Sequence, residues 1–168
     1  MAEKHAVQEK REKGAFARSL WIRGYQAQMD GKVEQAVKLY KESIHTHPTA
    51  EAHTFLGWAY SRGGNWEDAI GECRKAISVD PSFGNPYKDI GAYYIEQEKW
   101  EEAVPWLKKA IRSARYEPRH YPHFNLGRVY LRQGKINKAL EQFQKSLDQY
   151  PGYSPAVQMI SKLQGRFN

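Results

Sequence analysis

Apolar residues recur along this chain at helical spacing, and the pattern comes in copies. Between His53 and Pro81 the chain sets out His53-x2-Leu56-Gly57-x2-Tyr60, then Ala69-x3-Cys73-x2-Ala76, then Pro81. The first part returns as Tyr87-x2-Ile90-Gly91-x2-Tyr94 and as His123-x2-Leu126-Gly127-x2-Tyr130. In each copy an alanine (Ala69, Ala103 or Ala139) stands 12 residues after the glycine. A weaker copy lies upstream in Leu20, Gly24, Ala36, Tyr40 and Pro48. There Val33, Ala36, Val37, Tyr40 and Ile44 make the stripe of a helix buried on one side. Each copy therefore predicts two short helices. Asp30-Gly31, Gly63-Gly64-Asn65 and Gly134 mark the turns between them, and Pro48 ends a second helix because proline cannot continue the backbone ladder.

The copies divide the chain. Residues 1–16 form a charged lead-in, helical or disordered, since Glu9 and Lys13 favour an exposed helix while little apolar surface is available for burial. Four repeats follow at about 17–49, 50–83, 84–119 and 120–153, and residues 154–168 make a terminal helix and tail. The glycine-to-glycine spacings of 33, 34 and 36 put an insertion just before repeat four, in Tyr116-Glu117-Pro118-Arg119. Repeat three lacks a turn glycine, having Gln97-Glu98-Lys99 instead, and Pro105 inside its second helix is expected to kink that helix or delay its start. Ser154-Pro155 reads as a helix start, with Val157, Ile160 and Leu163 as the buried stripe behind it.

The glycine–tyrosine–alanine–proline frame resembles the tetratricopeptide repeat (TPR) family over about residues 17–153. The runs Asp80–Gln97 and Tyr116–Leu131 look like stand-alone bacterial TPR proteins. The resemblance implies an all-α fold, a right-handed α-solenoid of four TPR helix pairs with a C-terminal capping helix. It also implies that Gly24, Gly57, Gly91 and Gly127 sit where the two helices of a repeat cross, with Ala36, Ala69, Ala103 and Ala139 opposite. Tyr60, Tyr94 and Tyr130 would fill the space between repeats. Arg23 and Ala27 depart from the pattern, as a first helix with no preceding repeat allows.

Composition narrows the function. The chain of 168 residues carries a formal charge of +7 and is 13% aromatic, with a mean hydropathy of −0.81, which fits a folded protein with a wet surface and anionic partners. The single cysteine, Cys73, excludes an internal disulfide and reads as a small buried hydrophobe. No apolar run approaches the roughly 20 residues that cross a bilayer, so no membrane insertion is expected, and a cytoplasmic location follows. No Gly-x-Ser-x-Gly, P-loop or His-Glu-x-x-His motif is present. His53 and His123 hold motif positions that normally pack, and His120 and His123 lack cysteine or carboxylate neighbours at ligand spacing. The expectation is no enzyme, no catalytic residue, no metal and no cofactor.

What remains is a binding surface. In TPR arrays the first helix of each repeat lines a concave groove, and the glycine register assigns to it Arg18, Trp21, Tyr25, Phe55, Trp58, Arg62, Lys88, Asp89, Tyr121, Phe124, Asn125, Arg128 and Arg132. Gln28 and Thr54 share that register. Arginine and aromatic residues together are the stuff of recognition hot spots. The groove positions do not match the lysine–asparagine clamp by which some TPR domains hold chaperone tails. From Lys108 to Lys138 nine lysines and arginines face only Glu117. An extended acidic peptide of a protein partner, docking toward repeat four, is the expected ligand. Single-stranded RNA on the same basic, aromatic groove is the alternative.

Overall fold

The computed structural model describes residues 1–165, and residues 166–168, the end of the expected tail, lie outside the described residues. The described chain is α1 Ala2–Met29, α2 Val33–Thr46, α3 Ala50–Arg62, α4 Trp66–Val79, α5 Asn85–Glu96, α6 Trp100–Arg112, α7 His120–Arg132, α8 Ile136–Gln149 and α9 Ser154–Gln164. The fold is all-α, four helix pairs followed by a terminal helix. It forms two compact units, Met1–Pro81 and Ser82–Asn168.

In the first unit α1 packs on α2 and α3 on α4, while α3 also meets α2. Its core joins Leu20, Ala27, Ala36, Leu39, Tyr40, Leu56 and Ala59, with Tyr60 packed against it. In the second unit α5 pairs with α6, α7 with α8, and α9 closes on α8. Tyr94 and Tyr130 pack on the cluster of Ile95, Ala103, Leu107, Leu126 and Val129. Tyr130 also reaches the cluster of Ala139, Phe143, Ala156 and Leu163, so one ring serves both.

Every helix pair crosses at its glycine. A Cβ added to Gly24 would stand 2.7 Å from the Tyr40 ring, at Gly91 2.6 Å from Leu107, and at Gly127 2.4 Å from the Phe143 ring. At Gly57 it would meet the Ala69 carbonyl oxygen at 2.8 Å and Cys73 Sγ at 3.3 Å. A second tie joins the helices where space allows only a small residue. Ser43 Oγ donates to the Ala17 carbonyl at 2.8 Å and Ser146 Oγ to the His120 carbonyl at 3.0 Å. Ala76 and Ala110 hold the matching, fully buried places.

The turns show one departure. Gly31, Gly64 and Gly134 take φ of 78°, 75° and 71°, and Glu98 takes the same left-handed place at 59°. A side chain there costs about 1–2 kcal/mol relative to glycine. Pro105 does not delay α6, which begins at Trp100, and its side chain is exposed. The insertion before α7 folds back on the start of α5. Gly84 N–H donates to the Arg115 carbonyl at 2.9 Å and Arg115 N–H to Ser82 at 3.0 Å. The Arg115 guanidinium lies 4.2 Å from the centre of the Phe83 ring. In α9 the buried stripe is Ala156, Ile160 and Leu163, with Val157 44% exposed. The expected Val157 gives way to Ala156 because α9 turns the Ala156–Ile160–Leu163 line into the cluster of Ala139 and Phe143.

Two glycines separate packing from propensity. Gly127→Ala should lower stability by about 1–3 kcal/mol through overpacking. Gly71→Ala, on α4 where an added Cβ meets nothing within 4 Å, should raise it by about 0.5–1 kcal/mol. Chemical denaturation of both variants checks the pair. In the same assay Glu98→Gly should stabilise by up to about 1 kcal/mol, relief of the left-handed side chain exceeding the added chain entropy.

Candidate functional site

On the first unit the first-helix residues gather into an aromatic face. Phe55 of α3 is its hub, with ring centres 5.3 Å from Trp21, 5.5 Å from Tyr25 and 6.0 Å from Trp58, all near edge-to-face. Edge-to-face pairs add about 0.5–1.5 kcal/mol beyond burial. Phe55 also lies 6.1 Å from the buried Tyr40, so the hub is rooted in the core. Trp58 is half-buried, and Tyr25 and Arg18 are exposed.

On the second unit the matching face belongs to α7 and to Tyr153, the residue that precedes α9. Tyr153 stands edge-on to Phe124 at 5.2 Å and to Tyr121 at 5.7 Å, while Phe124 leans on the core ring of Phe143 at 5.5 Å. Tyr121 is 39% exposed, and Asn125 and Arg128 are half-buried beside it. Arg128 reaches Glu96 of α5 at 3.6 Å. His120 is buried among the rings of Tyr121, Tyr150 and Tyr153 at 4.1–5.2 Å, and burial holds its pKa below the ordinary value. Tyr150 and Tyr153 had no sequence signal as site residues, because they precede or open the terminal helix rather than sit on a repeat's first helix.

Several expected groove residues serve the scaffold. Gln28 is buried and accepts a hydrogen bond from the Tyr40 hydroxyl at 2.9 Å. Thr54 is buried and donates to the Ala50 carbonyl at 2.7 Å. Asp89 is also buried and takes the Lys88 ammonium as its ion partner. Arg62 and Arg132 share one register but sit at the turn ends of their helices. Arg62 lines a depression with Val33, Glu34, Val37 and Tyr60. Arg132 lies over the Trp100 ring at 5.9 Å, beside Glu98, Glu101 and Glu102. The helix turns these last-turn side chains toward the preceding second helix. The basic run is likewise engaged locally, Lys109 over Trp106 at 5.0 Å and Arg119 on Glu117 at 3.2 Å.

The motif histidines, His53 and His123, pack, each against the residue facing it on the second helix. His53 Nδ1 meets Glu72 Oε2 at 2.6 Å, and Lys75 Nζ reaches the other carboxylate oxygen at 2.7 Å. His123 Nδ1 meets Gln142 Oε1 at 2.9 Å. Leu20 and Leu39 meet in the equivalent place of the first pair, and Tyr87 and Trp106, at 6.3 Å, in the third. Among the described residues no three His, Cys, Asp or Glu side chains gather as a metal site, and no helix is long and apolar enough to cross a membrane.

Glycine-crossed helix pairs in tandem, with recognition-type side chains left on the first helices, define a helical-repeat interaction module. Tetratricopeptide repeat models match residues 23–83 and 84–151, and the chain belongs to the tetratricopeptide repeat family, whose members act as protein–protein interaction adaptors. It is 31% identical over 118 residues to the type IV pilus assembly protein PilF of Pseudomonas aeruginosa, a match over 70% of this chain and 47% of PilF. The chain thus spans about half of that relative. The solved structure of P. aeruginosa PilF superposes with a TM-score of 0.87 at 25% identity, covering 92% of this chain and 70% of that one. A MamA crystal structure gives 0.68 at 26% identity, covering 85% and 84%.

Glu72 makes the first unit acid-sensitive. Burial raises its pKa, but the hydrogen bonds and charges of His53 and Lys75 outweigh burial and hold it below the ordinary 4.5. A depressed folded-state pKa gives stability that is present above the ordinary value and lost as pH falls through the folded one. The melting-temperature gap between wild type and Glu72→Gln should therefore be widest near neutral pH and close as the pH drops below about 4.5. Thermal unfolding across that range checks it.

Proposed function

We propose that the chain is a non-enzymatic adaptor that captures an extended, acidic segment of a partner protein on the first-helix faces of its repeats. One observation carries the reading. On α7 the partly exposed Tyr121, Asn125 and Arg128 stand together, an aromatic contact, an amide that can pair with peptide backbone, and a cation. On the first unit Tyr25 and Trp58 share the Phe55 ring, and Arg18 lines a depression with Trp21 and Thr49. The Arg128–Glu96 contact joins two partly exposed side chains. Such a pair contributes little in water, so a partner carboxylate displaces Glu96 at small cost. The likeness to PilF, a type IV pilus assembly protein, makes components of that assembly the first partners to try.

The test is fluorescence anisotropy with a labelled, glutamate-rich unstructured peptide. The double variant Arg128→Ala and Tyr121→Ala should weaken binding by about 2 kcal/mol, roughly thirtyfold, the scale of a hot spot. The melting temperature should hold within a few degrees, since both side chains are partly exposed. Unchanged affinity would sink the proposal. Stronger binding to single-stranded RNA, with a log–log salt slope of about −0.7 per neutralised phosphate, would hand the groove to nucleic acid instead.

A further inference from the structure

Helix α1 is 28 residues long, against 13 for α3, 12 for α5 and 13 for α7. Residues 4–13 of it are all exposed, and packing begins at Gly14. A helical stretch of that length gains nothing from burial, and an isolated helix so short is marginal in water. The bare face continues past Gly14. Ile22, Arg23 and Gln26 occupy the register that α3 fills with Phe55, Leu56 and Ala59. On α3 those residues pack into the core that α2 contributes to. On α1 all three are exposed, Ile22 by 49%, and Met29 is exposed by 52%.

We infer that this face of α1 docks a helix of a partner protein, one that is acidic along the end meeting Lys4 and Arg11 and apolar along the end meeting Ile22 and Met29. The fold itself shows what closes such a face, because a helix closes the matching face of α3. Charge supplies the rest. Lys4 and Arg11 stand 18 residues, five full helical turns, before Ile22 and Met29, so the two cations lie on the line of the two apolar side chains. The nearby Glu9 is turned away and paired to Lys13 at 2.7 Å. A second copy lying parallel on this face would set Lys4 and Arg11 against their own counterparts, an unfavourable meeting of like charges. A membrane surface is also disfavoured, because interfacial helices keep lysine and arginine on the polar side rather than in the centre of the buried stripe.

The probe is a synthetic helical peptide with a seven-residue leucine repeat and glutamates along one half, titrated against the full chain. It should bind, and the same peptide with glutamine for glutamate should bind at least tenfold more weakly. Arg11→Glu together with Ile22→Asp should weaken capture at least tenfold and leave the melting temperature unmoved. Arg11→Glu alone should gain affinity for a lysine-bearing version of the peptide. Both variants should bind the unstructured glutamate peptide of the groove assay as wild type does, so this surface and the groove fail or stand separately. Equal binding of the glutamate and glutamine peptides would overturn the inference. So would dimerisation of the chain alone that Ile22→Asp abolishes, or tighter capture by phosphatidylserine-containing vesicles than by the peptide.

Discussion

Each repeat depends on one close approach, the glycine of the first helix against the residue one turn beyond the alanine of the second. The four partners differ widely, being Tyr40, Cys73, Leu107 and Phe143, while the glycine stays. Where the partner is a ring, as at Gly127, the missing Cβ makes room for the ring edge. Where it is the small Cys73, the backbone itself moves in, and the carbonyl of Ala69 occupies the space at Gly57. Two packing solutions thus satisfy one constraint, because what must be conserved along the array is the approach of the helix axes and not the filler between them. Once the pairs are locked there, part of the far side of each first helix is released from packing, as the exposed Arg18, Tyr25 and Tyr121 show.

A second layer of contacts varies more freely. The first large residue of each repeat meets a fixed position on the second helix, and the pairs are Leu20 with Leu39, His53 with Glu72, Tyr87 with Trp106, and His123 with Gln142. The site accepts apolar, aromatic or polar pairs as long as both members suit each other. A buried Glu72 without His53 and Lys75 would be an uncompensated charge, which costs far more than the pair contributes. So the polar pairs fix which partner each position accepts, and Glu72 carries a pH response that the apolar pairs lack.

Periodicity made the frame legible. Glycines, alanines and prolines at repeating intervals report constraints local to one helix pair, and a sequence displays local constraints directly. The face residues were legible only to the helix they belong to. Gln28 and Thr54 share a register with Trp21 and Phe55, yet the Tyr40 hydroxyl and the Ala50 carbonyl claim them, and neither partner is visible from periodicity. Arg62 and Arg132 lie one turn beyond Trp58 and Arg128, but the end of a helix turns its last side chains toward the preceding second helix. Val157 failed for a related reason, since the choice between it and Ala156 depends on how α9 is rotated about its own axis against α8. A count of charges likewise sees nine cations between Lys108 and Lys138, whereas Arg115, Arg119 and Arg132 each lie on a partner of their own.

The same dependence limits which aromatic residues can recognise a ligand. Phe55 and Phe124 touch core rings on one side and surface rings on the other, so each is a footing. Trp21, Tyr25 and Trp58 are set edge-on to the first and Tyr153 to the second, with Tyr121 edge-on to Tyr153 in turn. Removing a footing would collapse the face and perturb the helix pair together, and no binding assay could separate the two effects. The side chains able to discriminate between ligands are therefore those one step out. Tyr121, Asn125 and Arg128 on α7, with Arg18 and Tyr25 on α1, keep water on one side and a rigid ring or helix on the other. The rings among them, Tyr121 and Tyr25, enter a complex with little rotamer freedom left to lose, which is where a small helical module gains affinity without enlarging its interface.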